Sequence, residues 1–191
     1  MAVITISRQM GCLGREISEE VARRLNYRRV WREVINEAAI RAGVPEVALA
    51  TIDELDLLGL RPPVSARKAY HDAVREIMRE LAVEGNVVIV GRAGQAILHG
   101  MEGVLHIRLY APFSVRVERV AKRQNITLET ARAQVQASDQ ARMRYLKRYY
   151  QVRWDDPELY DLMINTKNLT VEMASAAICE LAARRETLHN Q

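Results

Sequence analysis

Ser7-Arg8-Gln9-Met10-Gly11-Cys12-Leu13-Gly14-Arg15-Glu16, near the amino end of the 191-residue chain, combines residue types that bind anions. Glycines let a backbone turn so that consecutive N–H groups face inward. A helix beginning there adds partial positive charge, and together they make an anion cradle. A full phosphate loop reads G-x-x-x-x-G-K-[ST], with the lysine on the outer phosphates and the hydroxyl on magnesium. The match here is partial. With Gly14 as the second glycine, Gln9 stands at the first, Arg15 replaces the lysine and Glu16 the hydroxyl. Moving the frame by one residue puts Gly14 at the lysine position and does not improve it. Arg15 offers a guanidinium that forks onto phosphate oxygens, or is a solvated first-turn arginine. Glu16 reads as a first-turn acid favoured by the helix dipole, since a carboxylate beside a polyphosphate repels it unless a metal bridges the two. Cys12 is either a thiol open to oxidation or alkylation or a small loop residue.

Those residues need elements to hold them. Ala2 to Ser7 (AVITIS) reads as a strand and the pattern from Arg15, with Ile17, Val21, Ala22 and Leu25 on one face, as a helix. Val30 to Ala42 is a second amphipathic stretch, stopped by Gly43 and Pro45. Residues 43–66, with Gly59 and Pro62-Pro63, read as a loop or insertion. Helical spacing resumes at Ala66 and ends at Gly85-Asn86. Val87 to Val90 is a continuous apolar run, as in a strand buried on both faces. Leu105, Ile107 and Leu109 predict another strand, and Ser114 a cap for a helix to about Arg123. Thr127 starts a longer helix to about Tyr149, Leu162 to Asn165 is a short strand, and Thr170 caps the last helix. Strands alternating with helices predict an α/β protein, a parallel sheet with helices on both faces. Ligands of such sheets bind beyond the carboxyl ends of the strands, which singles out Arg8 to Arg15, Gly91 to Gln95 and Tyr110 to Pro112.

Composition excludes several classes of function. Only 5% of residues are aromatic, with one Phe, too few rings for a base-stacking single-strand binder. Two cysteines make neither a disulfide framework nor a four-ligand zinc site. No stretch approaches the ~20 apolar residues of a membrane span, and the opening MAVITISRQ lacks a signal peptide's layout, so a cytoplasmic protein is expected. The net charge of +4 suits an anionic small ligand as well as it suits nucleic acid, but no helix-turn-helix, zinc or aromatic sheet motif supports nucleic-acid binding. His71, His99, His106 and His189 have no partner at metal-ligand spacing, and no metal site in the protein itself is expected. Asp139 and Arg142 lie three apart on a helix, Arg144 and Arg148 four apart with Lys147 beside them, which is either a phosphate-facing set or a solvated basic face. Tyr145 and Tyr149 share a face and read as packing residues, Trp154-Asp155-Asp156-Pro157 as a capped turn, and Asp161 as structural.

VVIVGRAGQAIL, GVLHIRLYAPFSVRVERVAKR, SDQARMRYLKRYY and WDDPELYDLMINT together resemble the cytidylate kinase-like proteins, P-loop nucleoside monophosphate kinases related to bacterial CMP kinase. The likeness runs from ITISRQ to the last helix. The divergent subfamily most like this chain carries a GREI-like sequence at the phosphate loop, as Gly14-Arg15-Glu16-Ile17 does here. The resemblance implies a three-layer P-loop kinase fold in a single domain over residues 1–191, with an acceptor-binding region near 30–85 and a helical lid near 123–156. It implies transfer of a phosphoryl group from ATP, with Mg²⁺, to CMP or dCMP. Gly11, Cys12, Leu13, Gly14, Arg15 and Glu16 would then hold ATP, with Arg15 standing in for the lysine. The Gly91-Arg92 turn matches one that contacts the acceptor, so Arg92, with Arg8 and Arg144, is assigned to the acceptor nucleotide. The lid's Asp-x-x-Arg pattern makes Arg142 a phosphate clamp and Asp139 the residue that orients an arginine or the acceptor, with Arg148 completing the catalytic set. Arg32, Asn36, Arg41 and Arg67 are candidates for reading the base by location alone. A kinase of this fold acting on another small acceptor, and a catalytically weak nucleotide sensor, stand as the other readings.

Overall fold

The computed structural model describes residues 2–31, 33–43 and 64–189. Most of the loop expected between 43 and 66 therefore lies outside the described residues, as does Arg32. Five strands are described: β1 (Val3–Arg8), β2 (Arg28–Val30), β3 (Val87–Val90), β4 (Val104–Tyr110) and β5 (Leu162–Asn165). They form one all-parallel sheet in the order β2-β3-β1-β4-β5. The helices are α1 (Gly14–Leu25), α2 (Glu33–Arg41), α3 (Val64–Glu84), α4 (Gly94–Ile97), α5 (Phe113–Gln124), α6 (Leu128–Tyr150) and α7 (Val171–His189). A 3₁₀ turn covers Pro157–Leu159.

Period two along the strands sorts the core into two layers. Val3, Val87, Ile89 and Val104 face α3, packing on Tyr70, Val74, Ile77 and Met78. Ile4, Ile6, Val88, Val90, Leu105 and Ile107 face α1 and α7, packing on Ile17, Val21, Ala174 and Ile178. The expected three-layer α/β architecture is what these two layers build. Among the described residues no helix is long and apolar enough to cross a membrane.

Several local expectations need correction. Val30 ends an edge strand instead of opening a helix: Arg28 to Val30 pair with Val87 to Ile89. A three-residue strand with two arginines has too short an apolar run to announce itself. The short helix α4 follows β3 immediately, entered through Arg92 and Ala93, both left-handed. Ser114 is inside α5, whose cap position is Pro112 with no side-chain cap bond. Thr127 and Thr170 behave as expected, their hydroxyls accepting from the N–H groups of Thr130 and Met173. Asp156 likewise caps Pro157–Leu159, and Asp161 is structural, accepting from the His106 N–H at 2.7 Å.

One buried cation joins three parts of this frame. Arg116 on α5, 3% exposed, donates from Nε to the Ala111 carbonyl at 3.0 Å, at the end of β4, and from Nη1 to the Met10 carbonyl, in the loop after β1. Its two terminal nitrogens grip Asp139 on α6 at 3.2 and 2.7 Å. Asp139 thus orients an arginine, and that arginine is Arg116. Removing one partner of a buried ion pair strands the other charge. Asp139→Asn keeps the shape and is expected to destabilise the fold by about 3–5 kcal/mol, read from urea unfolding; a cost under about 1 kcal/mol, as for an exposed pair, would show that Arg116 is held without it.

His71 on α3 sits among rings, 3.9 Å from the Tyr149 centroid and 5.8 Å from that of Tyr145. Among the described residues neither ring nitrogen has a hydrogen-bond partner. Burial, and after it Arg75, hold its pKa down to about 4, against 6.5 for an ordinary histidine. The unfolded chain therefore takes up this proton first. The contribution of neutral His71 is complete above pH 6.5 and is lost as pH falls toward 4. Burial shifts His106 in the same direction. The protein is expected to be about 2–3 kcal/mol less stable near pH 4.5 than near pH 7 on account of His71, and His71→Phe to flatten that limb in urea titrations at the two pH values. An unchanged limb would show that other groups set it.

Candidate nucleotide site

The chain moves from β1 outward to β2 on one side, and from β3 over to β4 on the other, so the strand order reverses at β1. In open parallel sheets the crevice beyond the carboxyl ends at such a switch point receives ligands. The residues there are the loop after β1, the Gly91-Arg92-Ala93 turn after β3 and Ala111-Pro112 after β4.

The loop after β1 is held from behind. The Gln9 N–H donates to the Leu109 carbonyl, and its side-chain oxygen accepts from the Ala111 N–H at 3.2 Å. Met10 and Gly11 offer their carbonyls to Arg116 and Arg119. Gly11 has φ +83°, and a Cβ there would lie 2.6 Å from the Arg116 carbonyl oxygen. No other residue fits that approach. Leu13 is also left-handed, φ 62°, as the cap residue of α1, so the left-handed position at the helix entrance is Leu13 and not Gly14. Cys12 is fully buried under the loop and burial raises its thiol pKa. Of the two readings of Cys12, the small loop residue is the one the packing fits, its side chain belonging to the core.

The expected site residues fall into three groups. Arg8 and Arg142 converge. Both are close enough to Cys12 for their charge to act on it, and both line a narrow cavity with Ser7, Gly91, Gln95 and Trp154. Arg142 donates to the Ser138 hydroxyl and lies 5.9 Å from the Trp154 ring centroid. Arg92 and Arg148 belong to a neighbouring region. Arg92 is buried, near enough to His71 and Tyr145 to act on both. Arg148 lines a cavity of about 350 Å³ together with Arg67, His71, Arg75 and Tyr149. Arg15 and Arg144 stand apart. The Arg15 side chain is 66% exposed and paired with Glu19 at 3.0 Å, while Arg144 is exposed and lines neither cavity. Arg41, offered for reading the base, is paired with Glu37 and Glu80 on the surface, and Asn36 is exposed.

Trp154 is a positioning residue that its turn-like sequence concealed. It is 4% exposed, and its Nε1 donates to the Ser7 hydroxyl at 2.8 Å, tying the segment after α6 to the end of β1. The Arg108 guanidinium lies 4.5 Å from its ring centroid and donates to its carbonyl. The signal available beforehand was a lone tryptophan in a run of charged residues. Glu16 is half-buried, and among the described residues its Oε2 is buried without a hydrogen-bond partner. Among the described residues no three His, Cys, Asp or Glu side chains cluster as a metal cage.

Comparison with known proteins agrees with this architecture. The chain is 32% identical over 180 residues to a cytidylate kinase of Pyrococcus horikoshii, covering 92% of this chain and 85% of that one. It is 28% identical over 158 residues to a uronate isomerase of Corynebacterium glutamicum, covering 83% of this chain but only 30% of that protein's length. Among solved structures, an uncharacterized protein from Eubacterium ventriosum superposes with a TM-score of 0.74 at 20% identity, covering 96% of this chain and 99% of that one. A gluconokinase from Sinorhizobium meliloti does so with a TM-score of 0.58 at 16% identity, covering 100% and 97%. These structures show the fold, that of the P-loop kinases. Residues 3–168 match the cytidylate kinase-like family, and the chain belongs to that family.

Proposed function

We propose that the chain transfers a phosphoryl group from ATP to a nucleoside monophosphate, CMP or dCMP first. The observation that carries this reading is the convergence of Arg8 and Arg142 on one cavity at the end of β1, beside the Gly91 turn after β3, at the sheet's switch point. Membership of the family and the likeness to a cytidylate kinase support it.

Phosphoryl transfer asks for in-line positioning and for positive charge around the moving group. The loop of residues 9–13 meets the first demand because its shape is imposed by α5 and β4 before any ligand arrives. Arg142 meets the second. It lines the cavity at the end of β1 with Arg8 and Ser7, where it would face charge developing between donor and acceptor. The cavity lined by Arg67, His71, Arg75 and Arg148 is the acceptor side of this reading, with the Arg92 charge acting on His71. Mg²⁺ delivered with a nucleotide is commonly bound through one or two carboxylates plus substrate phosphates. Glu16 would be the carboxylate to take it, a role its Oε2 supports by having no hydrogen-bond partner among the described residues. When bound, the ion neutralises charge on the phosphate oxygens.

With ATP and Mg²⁺ in a coupled assay, CMP and dCMP are expected to give the highest kcat/KM among nucleoside monophosphates. Turnover of a sugar or other hydroxyl acceptor alone would mean a kinase with a different acceptor. ATP binding with no turnover of any acceptor would mean a sensor. Arg142→Ala is expected to lower kcat about 10²- to 10³-fold with ATP binding changed much less. A change confined to KM would place Arg142 outside the transferring group.

A further inference from the structure

The structure assigns to Arg8 the place that a phosphate loop ordinarily gives to its lysine, and to Gly14 the task of leaving that place open. This rests on the ATP-binding reading above.

The backbone sets the frame. A left-handed residue immediately before a helix is where a phosphate loop needs its last glycine, and here that residue is Leu13. The next residue, where the lysine would stand, is Gly14. Counting back through G-x-x-x-x-G puts the first glycine's place at Arg8. The chain therefore carries a long cation where the motif has no side chain, and no side chain where the motif has a long cation.

Space makes the two exchanges one. Gly14 opens α1 with no left-handed φ, so its backbone does not call for glycine. A Cβ built on it would lie 2.7 Å from Arg8 Cγ and 2.8 Å from Arg8 Cβ. The stem of Arg8 thus fills the room that a side chain at 14 would use, and only one of the two positions can carry a long side chain. Arg8 lines a cavity with Arg142 and Ser7, and its guanidinium lies 5.9 Å from the Trp31 ring centroid. A guanidinium so placed can fork onto two phosphate oxygens where an ammonium meets one. Arg15 leans to solvent against Glu19.

Isothermal titration with ADP tests this, with Arg8→Met keeping the stem and removing the charge. Arg8→Met is expected to weaken ADP about tenfold or more, and by more than Arg15→Met does, with a melting temperature near that of the parent chain. Arg8→Gly combined with Gly14→Lys restores the usual order of side chains and is expected to recover most of the lost affinity. Gly14→Lys alone, with Arg8 still in place, is expected to lose affinity or stability. Parent-like ADP binding by Arg8→Met, a larger loss in Arg15→Met, or no recovery in a folded double variant would each overturn the assignment. Failure of the parent chain itself to bind ADP would overturn the nucleotide reading, and the assignment with it.

Discussion

The Arg116 guanidinium is the point on which the geometry of the crevice depends. Buried at the start of α5, it collects a carbonyl from the end of β4, a carbonyl from the loop after β1 and the Asp139 carboxylate of α6. A buried charge is tolerated only when its donors are matched, so the three parts must arrive together or not at all. The loop acquires its shape from this demand and from the absence of a side chain at Gly11, where the Arg116 carbonyl passes. The long helix α6 acquires its orientation from the same group. The loop after β1 and the helix that carries Arg142 are therefore built as one unit.

A second tether works from the far end of α6. Trp154 hydrogen-bonds Ser7, stacks near Arg108 and Arg142, and gives its carbonyl to Arg108 and to the Tyr160 hydroxyl. Ser7 is the last buried residue of β1 before Arg8. The segment after α6 is thus keyed to the residue from which the loop departs. Two of the polar groups involved, Arg108 and Ser7, lie on strands covered on both faces, where a polar side chain must find its partner within the protein.

Departure from the usual phosphate loop need not mean loss of chemistry. Phosphoryl transfer depends on where positive charge stands more than on which backbone position supplies it. In this chain the cations near the loop come from a strand end and from α6, while the helix start carries glycine and an outward arginine. The arginine-rich cavity beside His71 and Tyr149 is separate from the one that Arg8 and Arg142 line.

Four of the five strands and the longer helices were legible in the residues alone, because a strand buried on both faces must be an apolar run and a helix that covers it must repeat near 3.6. The glycine loop and the importance of residues after β1 and β3 followed from strand–loop–helix order. The strand β2 escaped because pairing with β3, not its own arginines, makes it a strand. The left-handed turn at Leu13, the cap at Pro112, the Trp154–Ser7 tether and the Arg116–Asp139 grip escaped because each joins residues distant in sequence or overrides a local preference. The sequence decided which charges the protein owns. Only the packed fold decided which of them face one another, because an arginine's reach is set by what its stem leans on, and for Arg8 that is the bare backbone of Gly14.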